Sequence, residues 1–148
     1  MRAAALAAAL RPLRDDLFFV GADGAPVALR GTRCTDCGRV AFPARALCSH
    51  CAPHGQLVPH RLSAHGVVHA STVARVPSAM GHAPPYAYGY VDLPDDATRI
   101  FAPFSGAEAA WFQPGARVRV AFGEIPAAAM RGVLGYWFVP DAPVTADG

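Results

Sequence analysis

The sequence predicts a mainly β protein: an N-terminal helical arm, a four-cysteine ribbon, and then a small barrel of five strands. Three observations carry that expectation. All four cysteines fall between residues 34 and 51, as two C-x-x-C pairs. Five segments after residue 63 are rich in β-branched or aromatic residues, or alternate apolar with polar. Glycine- and proline-bearing turns separate those segments. The arm is placed at residues 1–30, the ribbon at 31–62, the barrel at 63–140 and a tail at 141–148.

The arm opens as "MRAAALAAALRPLRDDLFF". Its apolar run, Ala3 to Leu10, is eight residues and mostly Ala, which is weak for a secretory signal. Arg11, Arg14, Asp15 and Asp16 follow without a cleavage site, so an Ala-rich helix is expected instead. No segment approaches the ~18 apolar residues of a membrane span. Charged residues make up 16% of the chain, against roughly 25% in ordinary soluble domains. Much of the surface is therefore Ala, Gly, Pro and aromatic, as in a subunit that buries part of it against a partner. The net charge of +2, carried by 13 arginines and no lysine, gives nucleic acid little to attract.

The ribbon reads "CTDCGRVAFPARALCSHC", with Cys34, Cys37, Cys48 and Cys51 in the spacing C-x2-C-x10-C-x2-C. Each C-x-x-C can fold as a knuckle that aims two sulfurs at one point, and Gly38 supplies a permissive backbone after the first. Four thiolates suit a closed, tetrahedral structural zinc, and the same ligands also suit rubredoxin-like iron. A thioredoxin-type site needs one pair opening a helix, and a catalytic zinc needs an open position. The connector "GRVAFPARAL" is expected to form a short hairpin, with Val40 and Phe42 packing on it. His50 and His54 lie beside the second knuckle, but four sulfurs already complete the shell. Thiolates persist in a reducing compartment, which points to the cytoplasm.

In the barrel half, residues 65–76, 86–93, 98–104, 116–125 and 132–140 are the expected strands. The fourth alternates cleanly: Val118, Val120 and Phe122 face one way, Arg117, Arg119 and Ala121 the other. Residues 105–112 are expected to make one or two helical turns. Five strands with a brief helix between the third and fourth is the order of an OB-type barrel.

Nothing in the sequence assembles a catalytic centre. No cysteine is left over, no serine sits in a G-x-S-x-G elbow, and Glu108 and Glu124 are the only glutamates. His65, His69 and His82 flank the expected barrel mouth as polar strand or loop residues. Tyr86, Tyr88 and Tyr90 alternate along one strand, where they could stack bases or form core or interface. With no basic residue between them, the second use is favoured over a single-stranded nucleic-acid binder.

The ordered set "C-x-x-C-G", "FPAR-x-x-C-x-x-C", "GVVHASTV", "PPYAYGYVDL" and "FQPGARVRVAF" resembles a known family over about residues 14–139. It is similar to the rubredoxin-like zinc-ribbon/OB-fold proteins associated with thiolases, formerly a domain of unknown function. The resemblance implies a non-catalytic, zinc-binding subunit, bound to a thiolase-like enzyme or a hotdog-fold hydratase acting on unusual acyl-CoA substrates. Benzoylsuccinyl-CoA thiolase is one such complex. It also implies a heterotetramer with two copies of each chain, acyl-CoA reaching this chain only through the complex, and no membrane. Candidate contacts with acidic partner residues or CoA phosphates are Arg33, Arg39 and Arg45 around the ribbon, while Phe18 and Phe19 in the arm are candidate apolar contacts with the partner. Many relatives carry a longer helical arm with a Trp; this region has Phe18 and Phe19 but no Trp.

Overall fold

Five strands that turn apolar side chains toward one interior form the barrel. The computed structural model describes residues 9–52 and 54–142. Ten strands follow in chain order: β1 (Arg11–Pro12), β2 (Phe18–Val20), β3 (Pro26–Cys34), β4 (Val40–Ala41), β5 (Leu57–Arg61), β6 (His65–Ala74), β7 (Tyr86–Leu93), β8 (Thr98–Phe104), β9 (Arg117–Glu124) and β10 (Val133–Pro140). On β7, Ala87, Val91 and Leu93 are buried, while Tyr86, Tyr88 and Tyr90 point outward. Ile100, Ala102 and Phe104 on β8, Val118 and Val120 on β9, and Leu134 and Phe138 on β10 complete the core.

The sheet runs β10-β8-β7-β6-β9, and β9 pairs again with β10 to close the ring. Most of these pairs are antiparallel; β10 meets β8 in parallel, with Phe138 opposite Phe104. A bulge in β6 between Val68 and Ala70 brings β7 close. Gly89 sits at that point, where a Cβ would fall on the Ala70 carbonyl oxygen. The helix expected over 105–112 is a single 3-10 turn, Ala109–Trp111. It is cut short by Gln113, Pro114 and Gly115, and it delivers Phe112 into the barrel end. There Phe112 stacks on Phe104 with ring centroids 4.7 Å apart.

The ribbon is built around β3, which pairs with β2, β4 and β5. The connector does not form its own hairpin. Val40 and Ala41 pair back with Arg33 and Thr32, closing a hairpin around the first knuckle. Phe42 accordingly packs edge-on against Tyr136 of the barrel, 5.5 Å between centroids. Thr98 Oγ1 donates to the Val40 carbonyl at 3.2 Å. Asp96, in the β7–β8 turn, takes the Ser63 N–H on one oxygen at 2.7 Å and lies 2.7 Å from His60 Nε2 on the other. Ribbon and barrel are joined by this set of contacts.

The helical arm expected over residues 1–30 is corrected from residue 11 onward. Arg11 and Pro12 add to β10 in parallel, and Phe18–Val20 form a hairpin with β3. Aromatic and β-branched residues favour the extended backbone there. Gly24, at φ 78°, makes the turn. The Ala-rich helix expected over 3–10 lies, through residue 8, outside the described residues, as does the tail from residue 143. No helix among the described residues is long and apolar enough to cross a membrane.

Candidate metal centre

Two tight turns present the sulfurs. In the first knuckle the Gly38 N–H donates to the Cys34 carbonyl at 2.9 Å; in the second the Ala52 N–H donates to the Cys48 carbonyl at 3.0 Å. Both turns end in a left-handed residue, Gly38 at φ 76° and Ala52 at φ 51°. Glycine adopts that conformation freely, whereas alanine is strained there by roughly 1–2 kcal/mol.

The four Sγ atoms lie within 4.8 Å of one another. Across the knuckles, Cys34 and Cys51 are 3.9 Å apart and Cys37 and Cys48 are 3.6 Å apart. A tetrahedron with metal–sulfur bonds of ~2.3 Å has edges of about 3.8 Å, so the cluster fits a four-thiolate metal site with no open position. Cys34 and Cys48 are buried, Cys51 is half-buried and Cys37 is exposed. The backbone N–H of Cys51, then that of His50, holds the Cys48 thiol down to about 6. The Cys37 sulfur, together with burial, pushes Cys51 up to about 12. His50 and His54 add no ligand to this cluster.

One residue needed by the site was not apparent from spacing. Gly55 packs so closely that a Cβ there would lie 2.8 Å from the Cβ atoms of both Cys48 and Cys51, and 3.1 Å from Cys34 Sγ. Its neighbours are held by the knuckle backbone and have nowhere to go. Gly55→Ala is therefore expected to weaken metal binding at least tenfold, about 1.4 kcal/mol or more. Competition against a chromogenic chelator measures this; unchanged affinity would show that the second knuckle can shift.

Arg33, Arg39 and Arg45 are exposed around the ribbon, and among the described residues none of them forms an ion pair. Phe18 is 7% exposed and meets Phe122 edge-on at 5.7 Å. Phe19 is half-buried, with the Arg30 guanidinium 5.4 Å above its ring.

A second feature lies on the outer face of the barrel. A groove of 680 Å³ is lined by Met80, His82, Tyr86, Tyr88, Phe101 and Trp137 among others, and no Arg, Asp or Glu lines it. Tyr136 at its floor donates its hydroxyl to the Phe101 carbonyl at 2.9 Å, and burial pushes that phenol up to about 12. His82 is held by Ser78 Oγ, 3.0 Å from Nδ1. His65 lies beside Asp141, and His69 beside Asp92. Of the tyrosine stripe, Tyr90 is exposed and Tyr86 and Tyr88 are half-buried, and the groove beside Tyr86 and Tyr88 offers no Arg to a nucleic-acid backbone.

Comparison with known proteins gives the same two modules. Residues 22–54 match the family described as ChsH2, rubredoxin-like zinc ribbon domain, and residues 60–123 match ChsH2, C-terminal OB-fold domain. The benzoylsuccinyl-CoA thiolase subunit BbsA of Thauera aromatica is 38% identical over 93 residues, 62% of this chain and 62% of that relative. The protein of the same name in Geobacter metallireducens is 35% identical over 62% of this chain and 60% of its own length. A DUF35 domain-containing scaffold protein of Methanothermobacter thermautotrophicus is 28% identical over 74% of this chain and 83% of the relative. Among solved structures, the chain is similar in fold to one described as Ltp2-ChsH2(DUF35) aldolase, with a TM-score of 0.64, 23% identity, and coverage of 78% of this chain and 86% of that one. Ribbon first and barrel second, with the four sulfurs converging, the chain belongs to the ChsH2-type family of rubredoxin-like zinc-ribbon/OB-fold proteins.

Proposed function

We propose that this chain is a non-catalytic, zinc-binding accessory subunit of a thiolase-type acyl-CoA acyltransferase complex. The observation that carries the reading is the likeness to two subunits named for benzoylsuccinyl-CoA thiolase, each over 62% of this chain. The sulfurs support zinc as the ion, held by Cys34, Cys37, Cys48 and Cys51. A closed four-thiolate site organises backbone rather than activating a substrate. Thiolate ligands suit a reducing compartment, which supports a cytoplasmic complex.

In this reading the ribbon and barrel form a rigid bracket that the larger enzyme grips. The uncharged groove with Tyr86, Tyr88, Phe101 and Trp137 takes an apolar segment of that enzyme, since aromatic residues and Met dominate interface cores while charges are depleted there. Arg33, Arg39 and Arg45 meet acidic residues of the enzyme or the phosphates of bound CoA, to which the planar guanidinium fork is suited. Two copies of each chain make up the complex.

Co-expression with a thiolase-like enzyme from the same gene neighbourhood tests the proposal. The expected result is co-elution in equal amounts on size exclusion, with acyl transfer lost when this chain is omitted. Phe101→Asp, at a side chain 51% exposed, is expected to release the enzyme without lowering the melting temperature of the free chain. A well-folded monomer eluting beside a fully active enzyme overturns the proposal. Co-elution with a hydratase alone moves the partner to that class.

A further inference from the structure

The two knuckles treat their sulfurs unequally, and the difference falls on Cys37. Cys48 Sγ accepts two backbone N–H groups, from His50 and Cys51, each at 3.4 Å. Cys34 is sealed at 0% exposed, and Cys51 is half-buried with Gly55 packed against it. Cys37 alone of the four is exposed. Among the described residues no N–H group reaches its sulfur, and Cys48 Sγ lies 3.6 Å away, with the other two sulfurs within 4.8 Å.

Cys37 also borders open space. A cavity of 500 Å³ between the ribbon and the β7–β8 turn is lined by Cys37, Cys48, Arg39, Leu47, Ser49 and Asp96. A small neutral molecule can approach the exposed Cys37 from there, while Cys48 lies buried behind it. Hydrogen bonds to a thiolate draw off charge and blunt its nucleophilicity, whereas an exposed thiolate without them keeps both reactivity and access. Four thiolates around a divalent ion leave an excess of negative charge on sulfur; Cys34, Cys37 and Cys51 all lack an N–H partner at sulfur among the described residues, and of these Cys37 is the exposed one.

We propose that Cys37 is a modification site: the sulfur at which hydrogen peroxide or a soft alkylating agent first attacks the centre. With peroxide, the Cys37 thiolate attacks one oxygen, the O–O bond breaks and hydroxide leaves. The sulfur is oxidised by two electrons to a sulfenic acid as the peroxide is reduced. Cys48, 3.6 Å away, then attacks the Cys37 sulfur: the S–S bond forms, the S–O bond breaks and a second hydroxide departs. Each hydroxide takes a proton from solvent and becomes water. One peroxide is consumed, one Cys37–Cys48 disulfide forms, and the site loses a ligand from each knuckle. Cys34 and Cys51 cannot hold the ion by themselves. Metal release and disulfide formation therefore occur together. This follows from the sulfurs alone, independent of any partner enzyme.

The test uses the full chain loaded with zinc. Substoichiometric N-ethylmaleimide followed by peptide mapping is expected to place the first label on Cys37, at least about fivefold over any other cysteine. Peroxide titration with a chromogenic zinc indicator is expected to release one zinc per peroxide consumed, with a Cys37–Cys48 bridge in the digest. First labelling at Cys51, equal labelling of all four, or a disulfide within one knuckle overturns the proposal. Cys37→His keeps a nitrogen donor on the ion, and is expected to hold zinc while releasing it at least about tenfold more slowly under peroxide. Release from Cys37→His at the wild-type rate counts against the assignment, and should that variant bind no zinc, the label map on the native chain decides.

Discussion

Replacing Cys34 with serine is expected to empty the metal site and unfold the ribbon while the barrel stays folded. Cys34 is 0% exposed and ends β3, the strand with which β2, β4 and β5 all pair. Its N–H donates to the Arg39 carbonyl, and its own carbonyl accepts Gly38, so one residue anchors both the hairpin and the knuckle. A serine oxygen is a poor ligand for a soft site, and burying it unpartnered costs about 1–3 kcal/mol more. Structural zinc contributes roughly 10–16 kcal/mol in small zinc-finger peptides, far more than a two-residue β4 and a five-residue β5 can replace. Elemental analysis should fall from one metal ion per chain to less than about a tenth of that. Hydrogen exchange should become fast over 26–61 and stay slow over 86–104. Full metal content in the variant would contradict the assignment of Cys34 as a ligand.

Phe112→Ala is expected to be the most damaging single truncation in the barrel. The ring is 1% exposed, stacked on Phe104, and met edge-on by Trp111 at 5.1 Å. It closes an end of the barrel that no long helix covers, so neighbouring backbone is poorly placed to collapse into the gap. Phe→Ala in a core costs about 3–5 kcal/mol, a large share of the 5–15 kcal/mol that typically separates folded from unfolded chains. A chemical-denaturation midpoint measures the effect; a loss below about 1 kcal/mol would mean that the barrel end repacks. Zinc affinity should be unchanged, because the ring is remote from the ribbon sulfurs.

The barrel was legible because its strands carry their own pattern. The expected 86–93 and 98–104 coincide with β7 and β8, and 116–125 overruns β9 by one residue at each end. The four ligands were legible because a C-x-x-C pair fixes local geometry. The ribbon strands were not. "PVALRGTRC" and "LVPHR" show no two-residue hydrophobic alternation: β3 is buried at Ala28, Leu29, Gly31, Thr32 and Cys34, an order without a period of two, and β5 is held by pairing with β3. The same holds for Asp96, whose role in joining the modules depends on residues 33 and 36 positions earlier in the chain. Gly55 needs no special φ, so only the packed knuckles reveal why it must be small. Phe18 and Phe19 were read together, but alternate strand residues face opposite ways, so one entered the core and its neighbour did not.

The barrel's seam has a consequence for the order in which the chain can fold. β6, β7 and β8 form a meander whose pairs are near neighbours in sequence. β10 is the last of the five and reaches back to β9, β8 and β1. A nascent chain emerging from the ribosome can thus zip the meander early but must wait for residues 133–140 before the ring shuts. Until then, β8 offers an unpaired edge beside an outward aromatic row, the kind of surface that recruits other strands. Such a chain has a window of vulnerability during synthesis, and prompt arrival of a partner on that aromatic row would shorten it.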